Sequence, residues 1–142
     1  MSDVSDFTVV DGLGNYDREA NPQGLSVWEL LPKEVSWSFL GCLYKIESAE
    51  KLIPQLLIGV TGIAVVVSPF NAEKNKALVI KPDGEVMWDV SALASAMIKG
   101  GIFSDVYYVS GLLCFFVNIN DQDFRFSFDA VSGEIGVLTP SY

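Results

Sequence analysis

The chain has 142 residues, half of them apolar, a formal net charge of -9 and no histidine. That length suits one domain, and that apolar share is enough to bury a core. Without histidine the commonest general base near neutral pH and the commonest metal ligand are missing. The acidity argues against a nucleic-acid binder, which needs clustered Lys and Arg, and favours basic partners.

Residues 1–25, rich in Asp, Gly, Asn and Ser, read as a weakly ordered acidic N-terminal segment; 26–142 read as a single β-rich domain. Within the segment, Phe7, Val9 and Val10 read as a short strand, and Asp11-Gly12 and Gly14-Asn15 as turns. The opening MSDVSDFTVV has neither a basic stretch nor a long apolar one, so no signal peptide is expected. Cys42 and Cys114 each sit among apolar residues and read as buried free thiols. Together these features point to a reducing cytoplasm.

Ser26-Val27-Trp28-Glu29 has the pattern of a capping box, with Pro32 ending a short helix. In Val35–Ile46, Val35, Trp37 and Phe39 alternate with Ser36 and Ser38, a strand signal that breaks at Gly41, where a bulge or a switch to helix is expected. Ser48–Ile53 reads as a helical turn before Pro54. Leu52–Ala72 is free of charge and long enough to span a bilayer. Its prolines, glycines and β-branched residues suit two strands better, Leu56–Val60 and Ile63–Ser68. Ala77–Lys81 and Glu85–Trp88 follow as a hairpin around Pro82-Asp83-Gly84. Ser91–Lys99 reads as a helix capped by Asp89 or Ser91, with Leu93, Ala94, Met97 and Ile98 as its apolar stripe and Gly100-Gly101 as its stop. Strands at Val106–Val109, Leu112–Ile119, Phe124–Asp129 and Glu134–Leu138 complete the chain.

VTGIAVVV at Val60–Val67 recurs 49 residues later as VSGLLCFF at Val109–Phe116. At the same offset Asn71, Gly84 and Glu85 recur as Asn120, Gly133 and Glu134. The fold expected is therefore α+β and mostly antiparallel: two β-meander units related by an internal duplication, with one helix at 91–99 between them. That order is loosely similar to the two-sheet arrangement of Whirly-type domains, whose single-stranded DNA binding the acidic charge argues against.

No motif for catalysis, metal or cofactor emerges. Asn118, Asn120, Asp121 and Asp123 offer oxygen ligands at one turn, but the calcium-loop pattern fails and a solvated hairpin is the better reading. Cys114 has no basic neighbour in sequence to activate it. Trp28, Trp37 and Trp88 read as core or core-edge residues.

The acids concentrate at the two ends of the chain. Residues 1–32 hold six acids against Arg18 and residues 100–142 five against Arg125, whereas 33–99 are balanced. The plain reading is solvated surface, and the alternative is an acidic binding face. In size, acidity and lack of a catalytic set, the chain resembles bacterial immunity proteins of interbacterial toxin systems. That resemblance implies a non-enzymatic inhibitor with no cofactor, which binds and occludes a cognate toxin domain, a basic nuclease-type one given the charge. Asp83, Glu85, Asp121, Asp123 and Asp129, at strand ends, are the residues expected to meet it. The alternatives are a secretion chaperone or dimeric scaffold and, further off, a ligand-binding barrel or an enzyme.

Overall fold

The computed structural model describes residues 4–10, 17, 19–25, 27–48, 50–69 and 71–141. The turns expected at 11–15 and the capping residue Ser26 lie outside them.

Among the described residues, eleven strands form three antiparallel sheets. The first contains β1 (Ser5–Val10), β2 (Glu34–Phe39) and β3 (Cys42–Glu47). The second is β4 (Leu52–Leu56), β5 (Ile63–Val67), β6 (Lys76–Ile80) and β7 (Val86–Asp89), in that order. The third is β8 (Ile102–Val109), β9 (Leu112–Ile119), β10 (Gln122–Ser127) and β11 (Thr139–Pro140), also in serial order. Short helices occur at Val27–Leu30 (α1), Val90–Leu93 (α2) and Ser95–Ile98 (α3). The fold is thus α+β and dominated by antiparallel sheet, but with a third sheet ahead of the two meanders. Among the described residues no helix is long and apolar enough to cross a membrane.

The middle sheet is buried on both faces. Ala64, Val66, Ala77 and Val79 point into a core shared with the third sheet, where they meet Phe103, Val106, Leu113, Phe115, Val117, Phe126 and Phe128. Ile63, Val65 and Ile80 point the other way, into a second core with Val4, Val35 and Trp37 of the first sheet. A strand buried on both faces has no reason to alternate polar with apolar residues. The unbroken run Ile63–Val67 is the consequence: it lies within the charge-free stretch Leu52–Ala72, whose length would span a bilayer, and is instead the centre of three stacked layers.

Two-residue hairpins set much of the register. Leu40-Gly41 and Ser110-Gly111 both have positive φ at each residue, 51° and 80°, then 51° and 81°; Asn120-Asp121 follow suit at 52° and 65°. Positive φ at both central residues matches the right-handed twist of the flanking strands. The break expected at Gly41 is therefore a tight hairpin, not a bulge or helix. Pro54 lies inside β4, where a helical turn had been expected just before it. β4 is an edge strand, the place in a sheet that tolerates a residue without an N–H.

The two meanders agree in register as well as in order. Val65 pairs with Leu78, Val66 with Ala77 and Val67 with Lys76; 49 residues on, Cys114 pairs with Ser127, Phe115 with Phe126 and Phe116 with Arg125. The later turns agree too. Glu85 donates its backbone N–H to Asp83, and Glu134 donates its own to Ser132, the position 49 residues after Asp83. The units diverge at their first hairpin, a six-residue loop at 57–62 against the two-residue turn at 110–111.

Several expected boundaries shift. The helix at 91–99 is two four-residue turns meeting at Ala94. Asp89 caps the first through the Ala92 N–H at 3.1 Å. Its buried stripe is Val90, Ala94 and Ile98, with Leu93 turned outward. The strand expected at Glu134–Leu138 reduces to a single bridge from Ile135 to Phe128 and the short β11. Cys42 is exposed at the start of β3, while Cys114 is buried as expected; both are free thiols. Lys51 is the one buried cation among the described residues, and its ammonium donates to the carbonyls of Glu29 and Leu31.

Candidate functional site

A cleft of about 430 Å³ opens at one end of the middle and third sheets. One wall is the 57–62 loop, with Leu57, Ile58 and Thr61. The other is the stretch from Ser127 to Gly136, and the floor is the 111–113 turn with Tyr108. Backbone turns shape the loop: Leu57 donates to Gly62, and Val60 to Leu57. Gly62 is required there, because a Cβ on it would lie 2.6 Å from the Ile80 carbonyl oxygen.

Both walls are pinned by aromatic side chains from the sheets. The Ile58 N–H donates to the Tyr108 hydroxyl at 3.0 Å, tying the loop to β8. The Trp88 indole N–H donates to the Ala130 carbonyl at 2.7 Å, tying the opposite wall to β7. The Trp88 ring also packs against Gly133, where a Cβ would lie 2.8 Å from it, at a φ of 79° that suits glycine. A cleft held by such bonds is shaped before any ligand arrives.

Its chemistry is acidic and apolar. Asp129 and Glu134 line it, and no Lys or Arg does. Asp129 accepts the backbone N–H groups of Val131 at 2.8 Å and Ser132 at 3.2 Å. Those bonds, Val131 first, hold its carboxyl below the ordinary aspartate range, so it stays anionic at neutral pH. A carboxylate so stabilised is a poor proton donor, and its turn-forming role accounts for its position.

The five acids singled out from the sequence are not brought together. Asp83 and Glu85 sit in the β6–β7 turn, which leaves the middle sheet at the same end as the 57–62 loop, since Ile63 pairs with Ile80. Asp83 accepts the Glu85 N–H, and Glu85 reaches Lys81 at 3.4 Å. Asp129 lies in the cleft. Asp121 and Asp123 lie at the opposite end of β10, where Asp123 accepts from Asn118 at 3.1 Å. At about 3.4 Å per strand residue, roughly 20 Å separates them from Asp129. Glu134, not among those five acids, lines the cleft with Asp129, and its place in the repeat beside Gly133 is the same turn end as that of Glu85. Among the described residues no cluster of three or more His, Cys, Asp or Glu is placed to hold a metal ion.

The outer face of the third sheet carries a second group of residues. Tyr107 stacks on Phe116 with ring centroids 4.3 Å apart. Burial pushes the Cys114 thiol up, against a smaller downward pull from Arg125, so it stays protonated. Asp105, half-buried beside Phe116, is pushed up by burial despite a 2.8 Å bond from the Val106 N–H. Its folded-state pKa lies above its unfolded value, so ionised Asp105 opposes folding above the folded pKa, and the opposition fades as pH falls through it. Asp105→Asn keeps the acceptor and removes the charge. It is expected to raise the melting temperature at pH 7, with the gain vanishing near pH 3.5. A gain that persists undiminished at low pH would show another cause.

No family model matches the chain, and no curated protein does. Among solved structures, a chain of the structure described as Tne2 in complex with Tni2 matches with a TM-score of 0.70 and 16% identity. The match covers 98% of this chain and 99% of that chain. At that identity the likeness shows a shared fold, and it extends over all three sheets.

Proposed function

We propose that this chain is an immunity protein, a stoichiometric inhibitor that binds a cognate toxin domain and occludes it. The observation that carries the reading is the whole-length likeness in fold to a chain of the structure of Tne2 in complex with Tni2, which we read as a toxin bound to its immunity protein. The chemistry of this chain agrees with that role. Asp129, an anion held by the Val131 and Ser132 N–H groups, suits a surface that meets a partner's cation.

The partner we propose is a basic toxin domain, of the kind that handles a nucleic acid. A net charge of -9 would steer such a surface into contact and make the association rate fall with added salt. Binding takes place in the cytoplasm, where the two free cysteines stay reduced.

The test is co-expression with the protein encoded in the adjacent reading frame, which this reading expects to carry the toxin domain. Cells are expected to survive when both proteins are made and to die when the toxin is made alone. The two proteins should also co-purify at one to one. If the cells are not rescued and the proteins do not co-purify, the reading is wrong.

A further inference from the structure

We infer that the cleft between the 57–62 loop and the Ser127–Gly136 wall is where the toxin docks, and that it takes a protein segment presenting a Lys or Arg among apolar residues. This rests on the immunity reading and names the surface that carries it out.

Two independent observations meet at this place. The first is apolar. Ile58 is 67% exposed, Leu112 59% and Val131 91%, and all three ring the same cleft. Folding gives no reason to leave three large apolar side chains in water around one concavity, whereas a partner would cover them. They stand outward at the mouth instead of lining a closed interior, which suits an inserted protein segment better than an enclosed small molecule. The second is charge. Asp129 and Glu134 face the cleft with no cation on its walls. Arg125 is the sole cation of residues 100–142, and it sits on β10 opposite Phe116, away from the cleft. The acidic field is therefore left for a partner's cation to neutralise.

The same charge argues against a second copy of this chain, which would bring acids against acids. The pinned walls add a further reason for a tight complex. With Ile58 tied to Tyr108 and Ala130 to Trp88, little ordering remains to be done on binding. Asp121 and Asp123, at the far end of β10, line a separate hollow with Phe124 and Pro140, and none of the described residues lining it is a large exposed aliphatic side chain, so they contribute to steering and not to the contact itself.

The experiment compares matched charge reversals, with the adjacent-frame toxin domain as the probe. Glu134 and Asp123 are both exposed, so Glu134→Lys and Asp123→Lys change the net charge equally with little effect on the fold. Glu134→Lys is expected to weaken binding at least tenfold, mainly through faster dissociation. Asp123→Lys should change affinity less than about threefold, mainly through slower association. Ile58→Ser, which keeps the backbone bond to Tyr108, is expected to weaken binding severalfold without changing its salt dependence. Circular dichroism confirms that each variant is folded. Equal effects of the two reversals, or a larger one from Asp123→Lys, would overturn the inference while leaving the immunity reading intact. Failure of the wild-type chain to bind that toxin would count against the immunity reading itself. Sedimentation of the chain alone should show a monomer. A dimer abolished by Glu134→Lys or Ile58→Ser would assign the cleft to a second copy and overturn the inference.

Discussion

Phe115→Ala is expected to destabilise the protein by about 3–5 kcal/mol, the range for a fully buried aromatic truncated to alanine. Phe115 is completely buried where the middle and third sheets meet. Its ring stacks on Phe126 at 6.0 Å and meets Phe103 and Phe128 edge-on at 6.0 and 5.9 Å. Removing it strips contacts from three other rings, and strands on both sides prevent the space from closing. Domains of this kind are stable by only about 5–15 kcal/mol, so this one change consumes a large share. Urea denaturation should show a lower midpoint with an unchanged slope. Leu112→Ala, on the same strand but 59% exposed, is the control and should cost under about 0.5 kcal/mol. Similar losses from the two substitutions would mean that Phe115 does not occupy the core as described.

Trp37→Ala is expected to cost a similar amount, about 3–5 kcal/mol, and to act on the other core. Trp37 is fully buried between the first and middle sheets and stacks on Tyr44 at 6.1 Å. Its indole N–H donates to the Pro82 carbonyl at 2.7 Å, so one side chain joins β2 to the β6–β7 turn. Hydrogen exchange localises the damage: amides of β1–β3 should lose more protection than those of β9 and β10. Trp37→Phe separates packing from the lost donor, and about 1–3 kcal/mol should remain from the unpaired carbonyl. Because the proposed docking cleft lies between the other two sheets, folded Trp37→Ala protein should bind toxin as the wild type does. Wild-type stability in Trp37→Ala would contradict the packing of the first sheet on the middle one.

These two cores explain why the acids do not behave as a set. Asp83, Asp123 and Asp129 each accept a hydrogen bond within their own turn, and Asp121 occupies a positive-φ hairpin position that suits Asn or Asp. Local turn chemistry put acids at strand ends throughout the chain. What separates one acid from another is the surface around it. Asp129 and Glu134 share theirs with Val131 from the same stretch and with Ile58 and Leu112, which come from distant parts of the sequence.

Much of the local structure was legible from the residues. Alternation in Val35–Phe39 and Phe124–Phe128 reported true strand faces: Val35, Trp37, Phe126 and Phe128 are all buried. The 49-residue echo marked two meanders whose central strand pairs share one register. Strand periodicity and turn residues act over a few positions, so a sequence records them directly. The helix expected at 91–99 is two short turns, and of its expected stripe Ala94, Met97 and Ile98 do face the core. Val90, just before the expected start, completes the i, i+4, i+8 stripe with Ala94 and Ile98, whereas Leu93 faces water.

By itself, then, the sequence determined an acidic, mostly antiparallel α+β chain and the two meanders, but not the hairpin at Leu40-Gly41. Only the tertiary structure decided that a third sheet covers the middle one, that Ile63–Val67 is buried on both faces, and that Ile58, Asp129 and Glu134 line one cleft. The reason is the range of the interactions. Alternation tells a strand that it has an inner face, but not which sheet will cover it, nor that both faces will be inner. That choice comes from hydrophobic burial between segments far apart in the chain, which is non-directional and leaves no local pattern to read.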